Sequence, residues 1–164
     1  ALRVLKVILS YDYLWIQIRV KGGAYGCMSG FTRNGNGYLT SYRDPNLRAT
    51  FDVYRGCVDY LKNFAASDRD MLKYIIGTIS DMDIPLTPSM AGQRSLTAYF
   101  TGVTEDRILK EREEVLSCTV DDIRKLADYI QAILDENAIC VLGNEALLKK
   151  EADLFGKLEP LFQA

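Results

Sequence analysis

Histidine is absent from these 164 residues. Zinc hydrolases hold their metal mainly through histidine and keep one coordination position open for water, so this chain by itself cannot form an inverted H-x-x-E-H zinc site. Cysteine is sparse and scattered. Cys27, Cys57, Cys118 and Cys140 show neither C-x-x-C spacing nor the density of a secreted disulfide scaffold, and they read as four buried free thiols in a reducing compartment. No apolar run reaches membrane-spanning length, and Arg3 and Lys6 lie inside the first apolar pattern rather than ahead of it, so neither an anchor nor a signal peptide is expected. Cytoplasmic residence follows, or an organelle matrix if an import sequence has been removed. A basic excess is missing too: 20 Lys and Arg face 22 Asp and Glu, which argues against a nucleic-acid binder. Neither G-x-G-x-x-G nor G-x-x-x-x-G-K-[ST] occurs, which leaves nucleotide binding without a motif. Asp81 and Asp83, flanking Met82 beside a helix end, make a poor metal site.

What the sequence does hold is a hydrophobic content of 48%, enough at this length for one domain with a core of its own. Its most informative stretch is 18–45. Apolar residues run helically up to Val20, and Gly22-Gly23 supply the left-handed backbone that ends a helix. Residues 24–33 then alternate as a strand, with Tyr25, Cys27, Ser29 and Phe31 on one face. The other face, Ala24, Gly26, Met28 and Gly30, has little bulk. Glycine within a strand marks a bulge or a close backbone approach, so Gly26 and Gly30 suggest room for an extended peptide. Asn34-Gly35-Asn36-Gly37 is a hairpin signal, with a return strand over 38–43. Asp44 and Pro45 then read as N-cap and first residue of a helix.

Around this stretch, Leu2, Val4, Leu5, Ile8 and Leu9 share one helical face. Residues 10–12 interrupt, and a second helix over 13–20 turns Leu14, Trp15 and Ile18 toward the core. Leu47, Phe51, Tyr54, Val58 and Leu61 recur at helical spacing. Ser67 with Asp70 precedes a helix over 71–82, and Thr87-Pro88 opens a less regular segment. Thr104 caps a helix over 105–116, and Thr119 with Asp122 caps one over 120–134. Glu111 to Glu114 with Arg107 and Arg112 read as a solvated helix face. A strand is expected over 138–142, a brief helix after Asn144, and an edge strand over 158–162. The order gives an α+β fold: a largely antiparallel sheet with helices packed on one face.

The run Arg-Val-Lys-Gly-Gly-Ala-Tyr-Gly at 19–26, with Ser-Tyr-Arg-Asp-Pro-Asn at 41–46, resembles the C-terminal half of pitrilysin/insulysin-type zinc metallopeptidases, in the presequence protease branch. The likeness runs through nearly the whole chain and is densest over 10–61. It implies that residues 1–164 are a single C-terminal, non-zinc domain, a fragment of a larger two-half peptidase that lacks its first strands. In such enzymes the halves close around an unfolded peptide, and the N-terminal half holds Zn2+ through the inverted motif, whose glutamate activates the metal-bound water. By the same resemblance, Tyr25 donates its hydroxyl to the scissile carbonyl oxygen while Arg19 holds the substrate main chain or that same oxygen. Gly22, Gly23, Ala24 and Gly26 are the expected substrate-binding backbone. The partners implied are the N-terminal zinc-binding half and an extended peptide, and the chain alone is expected to be inactive. Without the resemblance, Arg19 is a helix-end cation and Tyr25 a half-buried sheet residue. The alternative function is a catalytically inactive homologue serving as a peptide-binding or scaffolding module, against which the presence of both Arg19 and Tyr25 speaks.

Overall fold

Residues 2–21 contain neither proline nor glycine, and in the computed structural model, which describes residues 1–161, they form one unbroken helical rod. Helix α1 (Leu2–Ile8) runs on through two π-helical stretches, Leu9–Tyr13 and Trp15–Lys21. The expected interruption at 10–12 is therefore a widening of the helix. In a π turn the hydrogen bond spans five residues, as the Leu14 N–H does in reaching the Leu9 carbonyl, and the added residue brings Leu14 back onto the buried face. Val4, Leu5, Ile8, Leu9, Leu14 and Ile18 are all buried along the rod. Trp15 is not turned to the core as its spacing suggests; it lies one residue past that face and is 37% exposed.

The hairpin forms as β1 (Gly26–Phe31) and β2 (Gly37–Tyr42), paired antiparallel with Gly26 opposite Tyr42 and Phe31 opposite Gly37. Its inner face carries buried Cys27 and Ser29, with Leu39 and Ser41 half-buried opposite them, and it packs on the rod and on α7 (Ala127–Asp135). The Tyr129 hydroxyl donates to the Gly35 carbonyl at 3.0 Å, and a side chain at Gly37 would collide with Ile133.

Helix α2 (Arg48–Lys62) buries Tyr54, Cys57, Val58 and Leu61 at the expected spacing. It begins later than Asp44-Pro45 suggests, and its N-cap position, Leu47, makes no side-chain cap. Helix α3 (Asp68–Met82) is capped by Ser67, whose hydroxyl accepts from the Asp70 N–H at 3.2 Å. Helix α4 (Pro88–Thr101) is more regular than its glycine suggests: Thr87 caps it, Pro88 suits its first turn, and left-handed Gly102 ends it. Helix α5 (Glu105–Leu116) follows Thr104 as expected. Thr119 and Asp122 form a reciprocal capping box, but the predicted helix over 120–134 is broken at Leu126 into α6 (Val120–Lys125) and α7. Asn144 caps α8 (Glu145–Lys150), and a 3-10 turn, Ala152–Leu154, follows.

The fold is α+β, mostly helical, with a two-stranded antiparallel sheet. The strand expected over 138–142 does not form. An apolar run needs a neighbouring ladder to satisfy its backbone, and this one lies in the open, with Leu142 77% exposed. No strand forms over 158–161 either, and Phe162, the end of that expected segment, lies outside the described residues.

Candidate functional site

The rod ends where Arg19 and Tyr25 are separated by the Gly22–Ala24 turn. Two backbone bonds close it, from the Gly23 N–H to the Arg19 carbonyl at 3.0 Å, the single bond of a left-handed C-cap, and from the Ala24 N–H to the Ile18 carbonyl at 3.1 Å. Gly23 takes the left-handed φ of 80° this requires. Gly22 is needed for space, because a Cβ there would stand 2.6 Å from the Ile18 carbonyl oxygen. Ala24 is buried, which anchors the turn to the core.

Arg19 precedes this turn and Tyr25 follows it, and each side chain lies against an aromatic ring. The Arg19 guanidinium lies over the outward-turned Trp15 ring at 3.9 Å from its centroid, within cation-π range. Tyr25 is 64% exposed and meets Tyr42 edge-on at 5.9 Å between ring centroids. It therefore does not join Cys27 and Ser29 on the inner face. The strand begins at Gly26, so Tyr25 sits in the bend before the pleat and escapes its alternation. Its N–H still donates to the Tyr42 carbonyl at 3.1 Å and to that of Arg43 at 3.3 Å. Arg43 has a φ of 47°, rare for a residue with a side chain, and its guanidinium stands 5.7 Å from the Tyr25 ring and 5.4 Å from that of Tyr42.

The outer hairpin face is not bare. Register places Tyr42 opposite Gly26, Thr40 opposite Met28, and Tyr38 opposite Gly30, and the Tyr38 ring fills the space a side chain on Gly30 would take. Gly26 does open onto free space: apart from its chain neighbours, no atom of the described residues lies within 4 Å of a Cβ position. Met28, Tyr38 and Tyr42 are all exposed, so the surface beside Tyr25 is aromatic and apolar.

Asp44 does more than begin a helix. One carboxylate oxygen accepts from the Asn46 N–H at 2.9 Å and the other from the Thr50 hydroxyl at 2.6 Å. Asn46 in turn donates its side-chain amide to the Gly22 carbonyl at 2.6 Å. Beneath the hairpin, burial pushes the Cys27 thiol up, against a smaller opposing pull from the Arg19 charge. Burial likewise raises Tyr54 to about 12, with a hydrogen bond to Ser41 opposing it. The buried Ser29 hydroxyl has no hydrogen-bond partner among the described residues. Cys57 and Cys118 are buried with Cys27, but Cys140, read as buried, is exposed because its segment forms no strand.

Several residues escaped the reading of the sequence. Asn46 ends the motif at 41–46, yet its target is 24 residues away. Glu111, read as part of a solvated face, gathers three arginines from separate places: Arg33 of the hairpin tip at 2.7 Å, Arg3 of α1 at 3.3 Å and Arg107 of its own helix at 3.6 Å. Asp83 pairs with Arg112 at 2.5 Å, joining the end of α3 to α5. An apolar groove lined by Leu72, Ile75, Ile76, Ile79 and Leu116 lies on α3 and α5 and includes no residue of the Arg19–Tyr25 turn. Among the described residues no group of three His, Cys, Asp or Glu is placed to hold a metal, and with no histidine the donor set does not fit a zinc site.

A family model described as PreP C-terminal domain matches residues 1–145. The chain is 42% identical over 163 residues to Protein HypA of Clostridium perfringens, covering 99% of this chain and 17% of that protein. It is 37% identical to Presequence protease 1, chloroplastic/mitochondrial, of Arabidopsis thaliana, covering 84% of this chain and 13% of that protein. It is 32% identical to the mitochondrial presequence protease of Emericella nidulans, over 88% of this chain and 14% of the relative. The chain thus spans about a sixth or less of the length of these relatives. No helix among the described residues is long and apolar enough to cross a membrane. With the family model matched over most of its length, the chain belongs to the PreP C-terminal domain family, the C-terminal part of the presequence protease branch of pitrilysin-type peptidases.

Proposed function

We propose that this chain is the substrate-contacting C-terminal portion of a zinc-dependent endopeptidase or oligopeptidase that degrades extended peptides. The observation that carries this reading is that Arg19 and Tyr25 flank one glycine-determined turn in the chain, closed by its own backbone bonds, with Tyr25 largely exposed. The Tyr25 hydroxyl donates a hydrogen bond to the scissile carbonyl oxygen as negative charge grows there, and Arg19 fixes the peptide main chain or the same oxygen. Backbone at Gly22, Gly23 and Gly26 lines the approach of the peptide, Ala24 holding the turn from the buried side, and the open space at Gly26 suits a neighbouring main chain.

Zinc belongs to another part of the polypeptide, since the residues present here do not fit it, and the chain by itself is inactive. The N-terminal zinc-binding half is its partner. The compartment is the cytoplasm or, where an import segment exists, an organelle matrix, in line with the names of the plant and fungal relatives.

The test is Tyr25→Phe in the full-length peptidase. Expected is a fall in kcat of about 10²–10³-fold, the scale of a lost oxyanion donor, with metal content unchanged. Undiminished kcat refutes the role and favours a binding or scaffolding module.

A further inference from the structure

We infer that Asn46 is a positioning residue for the reacting pair: it locks the turn between Arg19 and Tyr25 to the start of α2. The inference rests on the proposed role of that pair. The turn is fastened from the inside by its own backbone bonds, but these orient only the helix end. Buried Ala24 seats the turn on the core, and a chain of hydrogen bonds from outside ties it to α2. The Asn46 amide donates to the Gly22 carbonyl at 2.6 Å, the Asn46 N–H donates to Asp44 at 2.9 Å, and the Thr50 hydroxyl donates to the other Asp44 oxygen at 2.6 Å. Thr50 is buried in the first turn of α2, so the chain ends on a fixed point.

Both ends of the segment that carries Tyr25 are thereby tied to one anchor. Tyr25 donates its N–H to the carbonyls of Tyr42 and Arg43, which directly precede Asp44 in the sequence, and Gly22 is held by Asn46, two residues past it. Displacing a group by ~1 Å costs about 10²-fold in rate, so a loosened clamp acts through the geometry of the Tyr25 hydroxyl and Arg19 rather than through their chemistry.

The experiment is a double-mutant cycle in the full-length peptidase, following cleavage of a fluorogenic peptide. Asn46→Asp preserves shape but replaces the amide donor with a carboxylate facing the Gly22 carbonyl. It lowers kcat by about 10–100-fold with a smaller change in KM, and in a Tyr25→Phe background it lowers kcat by less than about threefold. Thr50→Val, nearly isosteric, breaks the same chain at its other end, shows a smaller loss with the same non-additivity, and serves if Asn46→Asp does not fold. Equal losses with and without the Tyr25 hydroxyl show a general structural role and overturn the inference, as does a wild-type kcat in both variants. Full activity of Tyr25→Phe alone overturns the underlying reading, and the inference with it.

Discussion

The guanidinium of Arg19 lies 3.9 Å from the centroid of the Trp15 ring, four residues earlier on the same helical rod. A planar cation on an aromatic face loses freedom of motion without losing its outer hydrogen-bond donors, which is what a residue that must meet a peptide oxygen requires. Trp15→Leu removes a contact worth about 0.5–1 kcal/mol. Because Trp15 is partly exposed, the fold is expected to lose little stability, while kcat/KM of the full-length peptidase falls several-fold. An unchanged kcat/KM with an intact fold shows that the stacking does not orient Arg19 for function.

Gly22 and Gly23 give separable predictions. Gly23→Ala places a side chain at a φ of 80°, a left-handed strain of about 1–2 kcal/mol. Gly22→Ala sets a Cβ 2.6 Å from a backbone carbonyl oxygen that cannot swing aside, and overpacking of that kind costs about 1–3 kcal/mol. Gly26→Ala meets no atom within 4 Å and leaves the fold unchanged. Urea midpoints of the three variants test the order. If Gly26 is approached by substrate, its variant alone combines native stability with a raised KM.

Glu111 predicts a pH dependence. Hydrogen bonding from Arg33, then attraction to Arg33 and Arg3, holds its carboxyl below the usual range despite an opposing effect of burial. A group with a lowered folded-state pKa stabilises fully above its unfolded value of about 4.3 and loses that contribution as pH falls through the folded value. Glu111→Gln is therefore expected to cost about 1 kcal/mol at pH 7, the pairs being partly exposed, and much less near pH 3. Urea unfolding of both proteins at the two pH values measures it; a constant difference contradicts the linkage.

The thiols should divide three to one. Cys140 is exposed and should be alkylated by iodoacetamide in the folded chain, whereas Cys27, Cys57 and Cys118 are buried and should react only after denaturation. Burial raises all three, Cys57 to about 12, so thiolate is scarce as well as shielded. Peptide mass mapping of partially alkylated protein distinguishes them, and early labelling of Cys57 would show that α2 opens.

Where signals are local, the sequence by itself determined the structure. Ser67, Thr87, Thr104, Thr119 and Asn144 cap the helices that follow them, because a side-chain oxygen reaching an N–H two or three residues on needs nothing from the rest of the chain. The Asn-Gly turn set the hairpin, and the motif at 19–26 set the family. Tertiary structure decided what depends on distant partners. A strand at 138–142 needed a ladder that none of the described residues supplies. Trp15 turned outward because the π turns gave the core face to Leu14 and Ile18, and the ring of Tyr25 took the outer side because the pleat starts one residue after it. Asp44 and Asn46 became a clamp on the Gly22 turn only when folding carried the start of α2 beside the end of the rod, a contact between residues 24 apart that no local periodicity encodes.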